Sequence, residues 1–277
     1  MKLFCFGLGY TAKNLISALS PTSWQFSGTT RSGDIKFDTD VPLNNAEQHL
    51  KDVTHLLISV PPDKTLIDPV IFHHKTDIQK MTALKWIGYL SATSIYGDHN
   101  GNWVDEETLP TPTNERGSLR LEAEKQWLSL DMPVNIFRLG GIYGPTRNQI
   151  KSIQNKTAKK ITKDNHKFSR IHVDDICSAL IASMNTKPTQ NIYNIVDDYP
   201  SSAADVLDYL CEALSLPPLD AIPYDDASLS PALKSFYQDN KRVRNEHTKK
   251  SLNWKPKFAN YKQGYKDILS KLGDCQL

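Results

Sequence analysis

The stretch Gly7-Leu8-Gly9-Tyr10-Thr11-Ala12 constrains this chain more than any other. It follows the apolar run Leu3 to Phe6, which reads as a buried strand. It precedes Thr11 to Leu19, where Ala12, Leu15, Ile16 and Leu19 recur at helical spacing before Pro21. A G-x-G-x-x-A turn between strand and helix has a mechanical reading. Gly7 permits the tight turn, Gly9 lets the backbone approach a pyrophosphate, and Ala12 lets helix and strand pack closely. Tyr10 and Thr11 open the helix, where free N–H groups and the helix dipole favour anions. The alternative is a turn that needs glycine for its dihedrals alone.

The rest of the N-terminal half alternates strand and helix. Strands are expected at Trp24 to Thr30, Ile35 to Phe37, His55 to Val60, Lys85 to Leu90 and Val134 to Leu139. Helical stretches lie near 43–51, 68–82 and 114–130. This order implies right-handed βαβ crossovers and an α/β fold with a doubly wound parallel sheet. Beyond about residue 145 the pattern loosens. Asp174-Asp175 opens an apolar helix through Met184, Ile192 to Val196 reads as a strand, Ser202 and Asp205 fit a capping box, and a last helix lies near 261–271.

An NAD site offers Asp or Glu at the end of the second strand, to hold the ribose 2′-OH. This chain offers Gly28-Thr29-Thr30-Arg31-Ser32. A carboxylate repels a 2′-phosphate, whereas a guanidinium binds one through paired hydrogen bonds. Thr30 and Arg31 therefore favour NADP(H) over NAD(H), against the alternative that Arg31 is a solvated surface residue.

Composition excludes several classes. The 277 residues carry 33 Lys plus Arg against 31 Asp plus Glu, a net charge of +2 that does not favour nucleic acid as the partner. No apolar run of about 18 residues exists, and Gly7 interrupts the N-terminus too early for a signal peptide. Cys5, Cys177, Cys211 and Cys275 are scattered without a CxxC, which argues against zinc, redox pairs and disulfides. A cytoplasmic protein without a membrane partner is expected.

Later stretches carry a resemblance. Tyr89-Leu-Ser-Ala-Thr-Ser-Ile-Tyr96-Gly97, Arg138-Leu-Gly-Gly-Ile-Tyr143-Gly144-Pro145, Phe168-Ser-Arg-Ile-His172-Val-Asp174-Asp175, Ile192-Tyr-Asn194-Ile-Val and Ser251-Leu-Asn-Trp254-Lys-Pro256 fall in the order and spacing of signature stretches in one superfamily. Together they resemble the extended short-chain dehydrogenases/reductases, the NAD(P)-dependent epimerase/dehydratase family. The resemblance implies a Rossmann domain over 1–145. A smaller C-terminal substrate lobe would cover 146–277, with one element returning to the sheet. It also implies that Asp38 lies near the adenine, and Ser59 and Val60 near the cofactor ribose.

The departures matter for chemistry. The family uses Ser/Thr followed by Y-x-x-x-K on the next helix. Here Arg116-Gly-Ser-Leu-Arg120 occupies that segment, and Ala92 stands at the hydroxyl position four before Tyr96. This looks like an atypical, divergent subgroup. Arginine cannot cycle a proton near neutrality. Arg116 and Arg120, four apart on one helix face, can instead hold a phosphate, a carboxylate or a developing oxyanion; the alternative is that both face solvent. Thr93, flanked by Ser91 and Ser94, is the hydroxyl nearest the vacant position, on the opposite face from Ala92 unless the strand has already ended.

Tyr96, His99, Tyr143 and His172 are further candidates, and Tyr96 and His172 sit in signatures that are often structural. Adjacent His73-His74 cannot share a helix face as ligands, and no metal spacing exists. Glu106 resembles the family's acidic loop residue, with a solvated carboxylate as the alternative. Residues 151–170 and 241–257 each contain seven Lys/Arg against one acid, on the lobe expected to bind substrate. Relatives dimerise through the helix carrying Arg116, so Trp127 is either an interface anchor or core. Two readings follow. The first is an NADP-dependent epimerase, dehydratase or reductase acting on a nucleotide-sugar-like or other small anionic substrate. The second is a catalytically degenerate NADP(H)-binding sensor or interaction protein.

Overall fold

The computed structural model describes residues 1–187 and 189–274. The N-terminal part runs β1 (Lys2–Phe6), α1 (Tyr10–Ala18), β2 (Gln25–Gly28), α2 (Ala46–Leu50), β3 (His55–Ile58), α3 (Pro69–Gln79) and β4 (Trp86–Ala92). A 3-10 turn (Thr93–Tyr96) follows, then β5 (Trp103–Val104), α4 (Glu115–Leu128) and β6 (Val134–Leu139). Next come β7 (Gly141–Tyr143), α5 (Ile150–Gln154), β8 (Lys160–Thr162), β9 (Arg170–His172), α6 (Val173–Met184) and β10 (Asn191–Ile195). The chain ends with α7 (Ala203–Ala213), β11 (Ala221–Pro223), α8 (Pro231–Ser235), β12 (Arg242–Val243), α9 (Glu246–Leu252) and α10 (Tyr261–Asp274).

Six parallel strands form the central sheet in the order β10-β6-β4-β3-β1-β2. Near-continuous apolar strands such as Leu3–Phe6 and Leu56–Ile58 are fully buried, as a sheet covered on both faces requires. One face packs on α1 and α6 through Ala12, Leu15, Ile176, Ala179 and Leu180. The other packs on α2, α3 and α4 through Leu50, Val70, Ile78, Ala123 and Trp127. The sheet reverses direction of winding beside β1, so the open crevice lies at the carboxyl ends of β1, β3 and β4.

One expectation is corrected. Ile35 to Phe37 is not a strand, since only Lys36 bridges back to Thr30. The segment turns over the end of β2 and drops Phe37 into the core beside Phe6, with ring centroids 5.1 Å apart. Of its two readings, Trp127 takes the core one. It is fully buried and its indole N–H donates to Asp68 at 2.8 Å, while Asp68 caps α3 by accepting from the Ile71 N–H.

The elements after β6 build a smaller assembly with its own core of Tyr143, Ile150, Leu207, Leu210, Tyr265 and Ile268. The Ser202–Asp205 capping box at the start of α7 is formed as expected. Between these pieces the chain returns to the main sheet, where β10 pairs with β6. Cys5, Cys177 and Cys211 are free and buried, and Cys275 lies outside the described residues. Among the described residues, no helix is long and apolar enough to cross a membrane.

Candidate active site

The glycine turn is anchored from below and open above. Gly7 has φ +91°, a region that favours glycine, and a Cβ there would lie 3.2 Å from Val60 Cγ2. Its N–H donates to Thr29 Oγ1 at 3.0 Å, tying the turn to the end of β2. Gly9 is the N-cap of α1 and brings no capping side chain, and the first turn of α1 contains no acidic residue. A Cβ on Gly9 would meet only Ser59 Oγ, at 3.8 Å. The bare backbone here therefore makes room for something outside the protein, and the uncapped N–H groups suit an anion. A pyrophosphate fits both features.

Arg31 and Asp38 are brought together beyond β2. Arg31 Nε lies 3.3 Å from Asp38 Oδ1, and the two side chains are 78% and 43% exposed. Thr30 Oγ1 accepts from the Gly33 N–H at 2.7 Å, so this hydroxyl closes the turn that presents Arg31.

At the carboxyl end of β4 the strand stops at Ala92. Thr93 already belongs to the 3-10 turn, so the alternation of strand faces no longer applies to it. Ser91, Ala92, Thr93 and Ser94 all line one cavity. Helix α4 presses close to this turn, since a Cβ on Gly117 would lie 2.7 Å from the Ser94 carbonyl oxygen. Arg120 Nη1 donates to the Leu90 carbonyl at 3.0 Å, which fixes its guanidinium beside the end of β4. Arg116 stands one turn earlier, with its guanidinium 5.8 Å from the Phe236 ring of the C-terminal assembly. Both arginines line the cavity, Arg116 exposed at it and Arg120 half-buried.

The cavity measures about 1310 Å³ and joins the two halves of the chain. It runs from Gly9, Tyr10, Thr11 and Ser59, past β4 and α4, to Lys159, Val206 and Tyr265. Seven cationic side chains line it (Arg116, Arg120, Arg147, Lys159, Lys167, Arg170 and Lys241) against the carboxylates Glu115 and Asp239. Such an excess in a low-dielectric cleft attracts anions. Arg170 is half-buried and spends its donors on neutral groups, the Phe168 and Ser201 carbonyls and the Ser201 hydroxyl. Burial pulls its guanidinium below its usual range, while nearby Asp197 acts against this. Burial in turn raises the Asp197 carboxyl well above the carboxylate range.

Other candidates prove structural. Tyr96 is buried, donates to Asn194 Oδ1 at 2.8 Å and accepts from Arg138 at 3.0 Å. His172 is fully buried and caps α6, its Nδ1 accepting from the Asp174 N–H. The His99 ring hydrogen-bonds to the Tyr96 carbonyl. Glu106, read as solvated or substrate-facing, is neither. Its Oε1 accepts from the Asn194 N–H at 2.8 Å and from the Thr248 hydroxyl at 3.0 Å, bolting a loop to β10 and α9. Tyr143 lines the cavity, but it stacks on Tyr265 at 5.1 Å and burial drives its hydroxyl upward. The basic-stretch signal did point at Lys159, Lys167, Arg170 and Lys241, though not at which charges turn inward. Phe236 and Asp239 carried no signal.

No family model matches this chain. Protein YeeZ of Escherichia coli (strain K12) is 25% identical over 225 residues, which are 70% of this chain and 77% of that protein. The dTDP-glucose 4,6-dehydratase of Bacillus anthracis, solved in complex with NAD, superposes with a TM-score of 0.77. It is 17% identical, over 99% of this chain and 97% of that one, which shows a shared epimerase/dehydratase fold. A functionally unknown conserved protein from Silicibacter pomeroyi DSS superposes with a TM-score of 0.90 at 39% identity, over 98% of each chain. This chain belongs to the same family as that Silicibacter pomeroyi protein, built on the Rossmann-type fold of the NAD-dependent epimerases and dehydratases.

Proposed function

We propose that this protein is an NADP(H)-dependent epimerase, dehydratase or reductase acting on a small anionic substrate of the nucleotide-sugar kind. The observation that carries the reading is the cavity shared by the bare Gly9 turn, the end of β4 and an excess of lining cations. In this reading Gly7, Gly9 and the first-turn N–H groups of Tyr10, Thr11 and Ala12 receive the pyrophosphate. Arg31 takes the 2′-phosphate, with Thr30 shaping its turn and Asp38 beside the adenine. Ser59 and Val60 border the cofactor ribose. A bound nicotinamide supplies or removes a hydride.

The remaining work falls to residues of the chain. Thr93 donates a hydrogen bond to the substrate oxygen. Arg120, already oriented by the Leu90 carbonyl, stabilises negative charge that develops there, at no reorganisation cost. Arg116 holds an anionic part of the substrate against the mouth of the cleft.

A second reading, an NADP(H)-binding sensor without turnover, is favoured by one specific feature. Arg116 and Arg120 stand where the proton-cycling Tyr and Lys would be expected, and neither exchanges a proton near neutrality. Incubation with C4-deuterated NADPH and a panel of oxidised nucleotide sugars separates the two. The enzyme reading expects deuterium on one face of one product. Binding of NADPH without transfer supports the sensor, and no binding refutes both.

A further inference from the structure

Proton transfer at a carbon–oxygen bond needs a group that loses and regains its proton near neutrality. Among the described residues, no histidine or cysteine lines the cavity. Its arginines do not release and regain a proton near neutrality. Burial raises the hydroxyls of its tyrosines, Tyr10, Tyr143, Tyr237 and Tyr265, away from neutrality. Glu115 is exposed and paired with Lys64 at 2.7 Å, Lys167 is paired with Asp205, and Lys159 is exposed at the far end. Lys241 and Asp239 remain.

Lys241 is 11% exposed, and its Nζ donates to the Gly97 carbonyl at 2.8 Å while lying 3.8 Å from Asp239 Oδ2. An ammonium has three donors, so one is left for the cavity that Lys241 lines. Asp239 accepts from Thr113 Oγ1 and from Asn114 Nδ2, and Asn114 caps α4. The pair is therefore fixed at the start of the helix that carries Arg116 and Arg120. It stands beside the 3-10 turn, where Ser94 Oγ is buried without a partner.

We propose that Lys241 exchanges the proton with the substrate oxygen in this cleft, and that Asp239 is its positioning residue. The inference rests on the NADP(H) reading above. In the reductive direction a hydride reaches the carbonyl carbon from the reduced nicotinamide, which is oxidised. A C–H bond forms, the C=O π pair moves to oxygen, and that oxygen takes a proton from the Lys241 ammonium. The product is an alcohol and a neutral amine, and the reverse sequence oxidises the alcohol. Burial draws the Lys241 amine below its usual range, opposed by Asp239 and Asp98. His166 is the other titratable neighbour of Lys241.

The test uses the full chain, with Lys241→Met and Lys241→Arg. Dinitrophenylation by 1-fluoro-2,4-dinitrobenzene is followed residue by residue across pH, with exposed Lys13 as reference. Lys241 is expected to reach half-reactivity at a lower pH than the exposed reference lysine, the direction in which its burial acts. Both variants keep the NADPH-induced melting shift and lose deuterium transfer from C4-deuterated NADPH at least about 100-fold. Labelling of Lys241 that tracks Lys13 overturns the proposal, as does transfer that survives Lys241→Arg. Where no panel compound is a substrate, the labelling profile alone decides. Absence of an NADPH shift in the wild type refutes instead the cofactor reading on which the proposal rests.

Discussion

The Arg138 guanidinium grips Glu124 through Nε and Nη2, with Nη2 2.8 Å from Oε2 and the two side chains 4% and 2% exposed. Ser91 donates to the same carboxylate, and Arg138 reaches on to the Tyr96 hydroxyl. This network locks α4 to β4 and β6, and so sets where Arg116 and Arg120 stand. Glu124→Gln leaves a buried guanidinium without its counter-charge, which should cost about 3–5 kcal/mol. Urea denaturation checks this, and a loss below about 1 kcal/mol would contradict it.

The two glycines of the turn should separate by substitution. Gly7→Ala forces a side chain into positive φ and against Val60, and should destabilise the fold by about 1–3 kcal/mol. Gly9→Ala has φ −83° and open space, so melting of the unliganded protein should barely change. Its added methyl occupies the ligand's room, and NADP(H) should no longer raise the melting temperature. Loss of stability in Gly9→Ala with ligand response intact would be the wrong way round.

Arg31→Ala should lower the ratio of NADPH to NADH affinity by about tenfold or more, because a charge-assisted bidentate contact is lost. Removing a cation whose ion pair is with the exposed Asp38 should leave stability nearly unchanged. Calorimetric titration of both cofactors measures the ratio, and an unchanged ratio would make Arg31 a surface residue.

Stability should respond to pH through His55, which is 3% exposed and packs against Trp24 at 4.7 Å. Burial draws its imidazole down to about 4 from 6.5. Between these values the unfolded chain binds more protons than the native one, so His55 costs stability as pH falls. Asp68 and Asp175, raised by burial to about 6, act oppositely over the same window. The clean readout is therefore a difference. The wild-type advantage over His55→Phe should shrink by up to about 3 kcal/mol between pH 7 and 4. Parallel stability curves would contradict it.

The sheet was legible because its central strands β1, β3 and β4 are short, largely apolar runs bounded by turns, and the glycine motif marked where the cleft begins. Ile35 to Phe37 misled because three apolar-flanked residues suit a strand or a buried return equally well. The site was legible only on its N-terminal side. Glu106 sits in a loop whose pattern shows a carboxylate but not its distant partners Asn194 and Thr248, and only the packing supplies them. Lys241 and Asp239 come to α4 from more than a hundred residues away, through the Asn240 bonds to His99 and Gly101. Local pattern cannot register such a return, and a basic stretch does not say which of its charges turns inward.

The most direct measurement of the central claim is the melting temperature of the wild-type protein with saturating NADP(H) or NAD(H). A ligand at about 100 times its dissociation constant adds about 2.7 kcal/mol, or roughly 2–4 °C in a chain of this size. The account predicts such a shift with NADP(H), a smaller one with NAD(H), and none with either cofactor in Gly9→Ala. No shift with either cofactor in the wild type would contradict it.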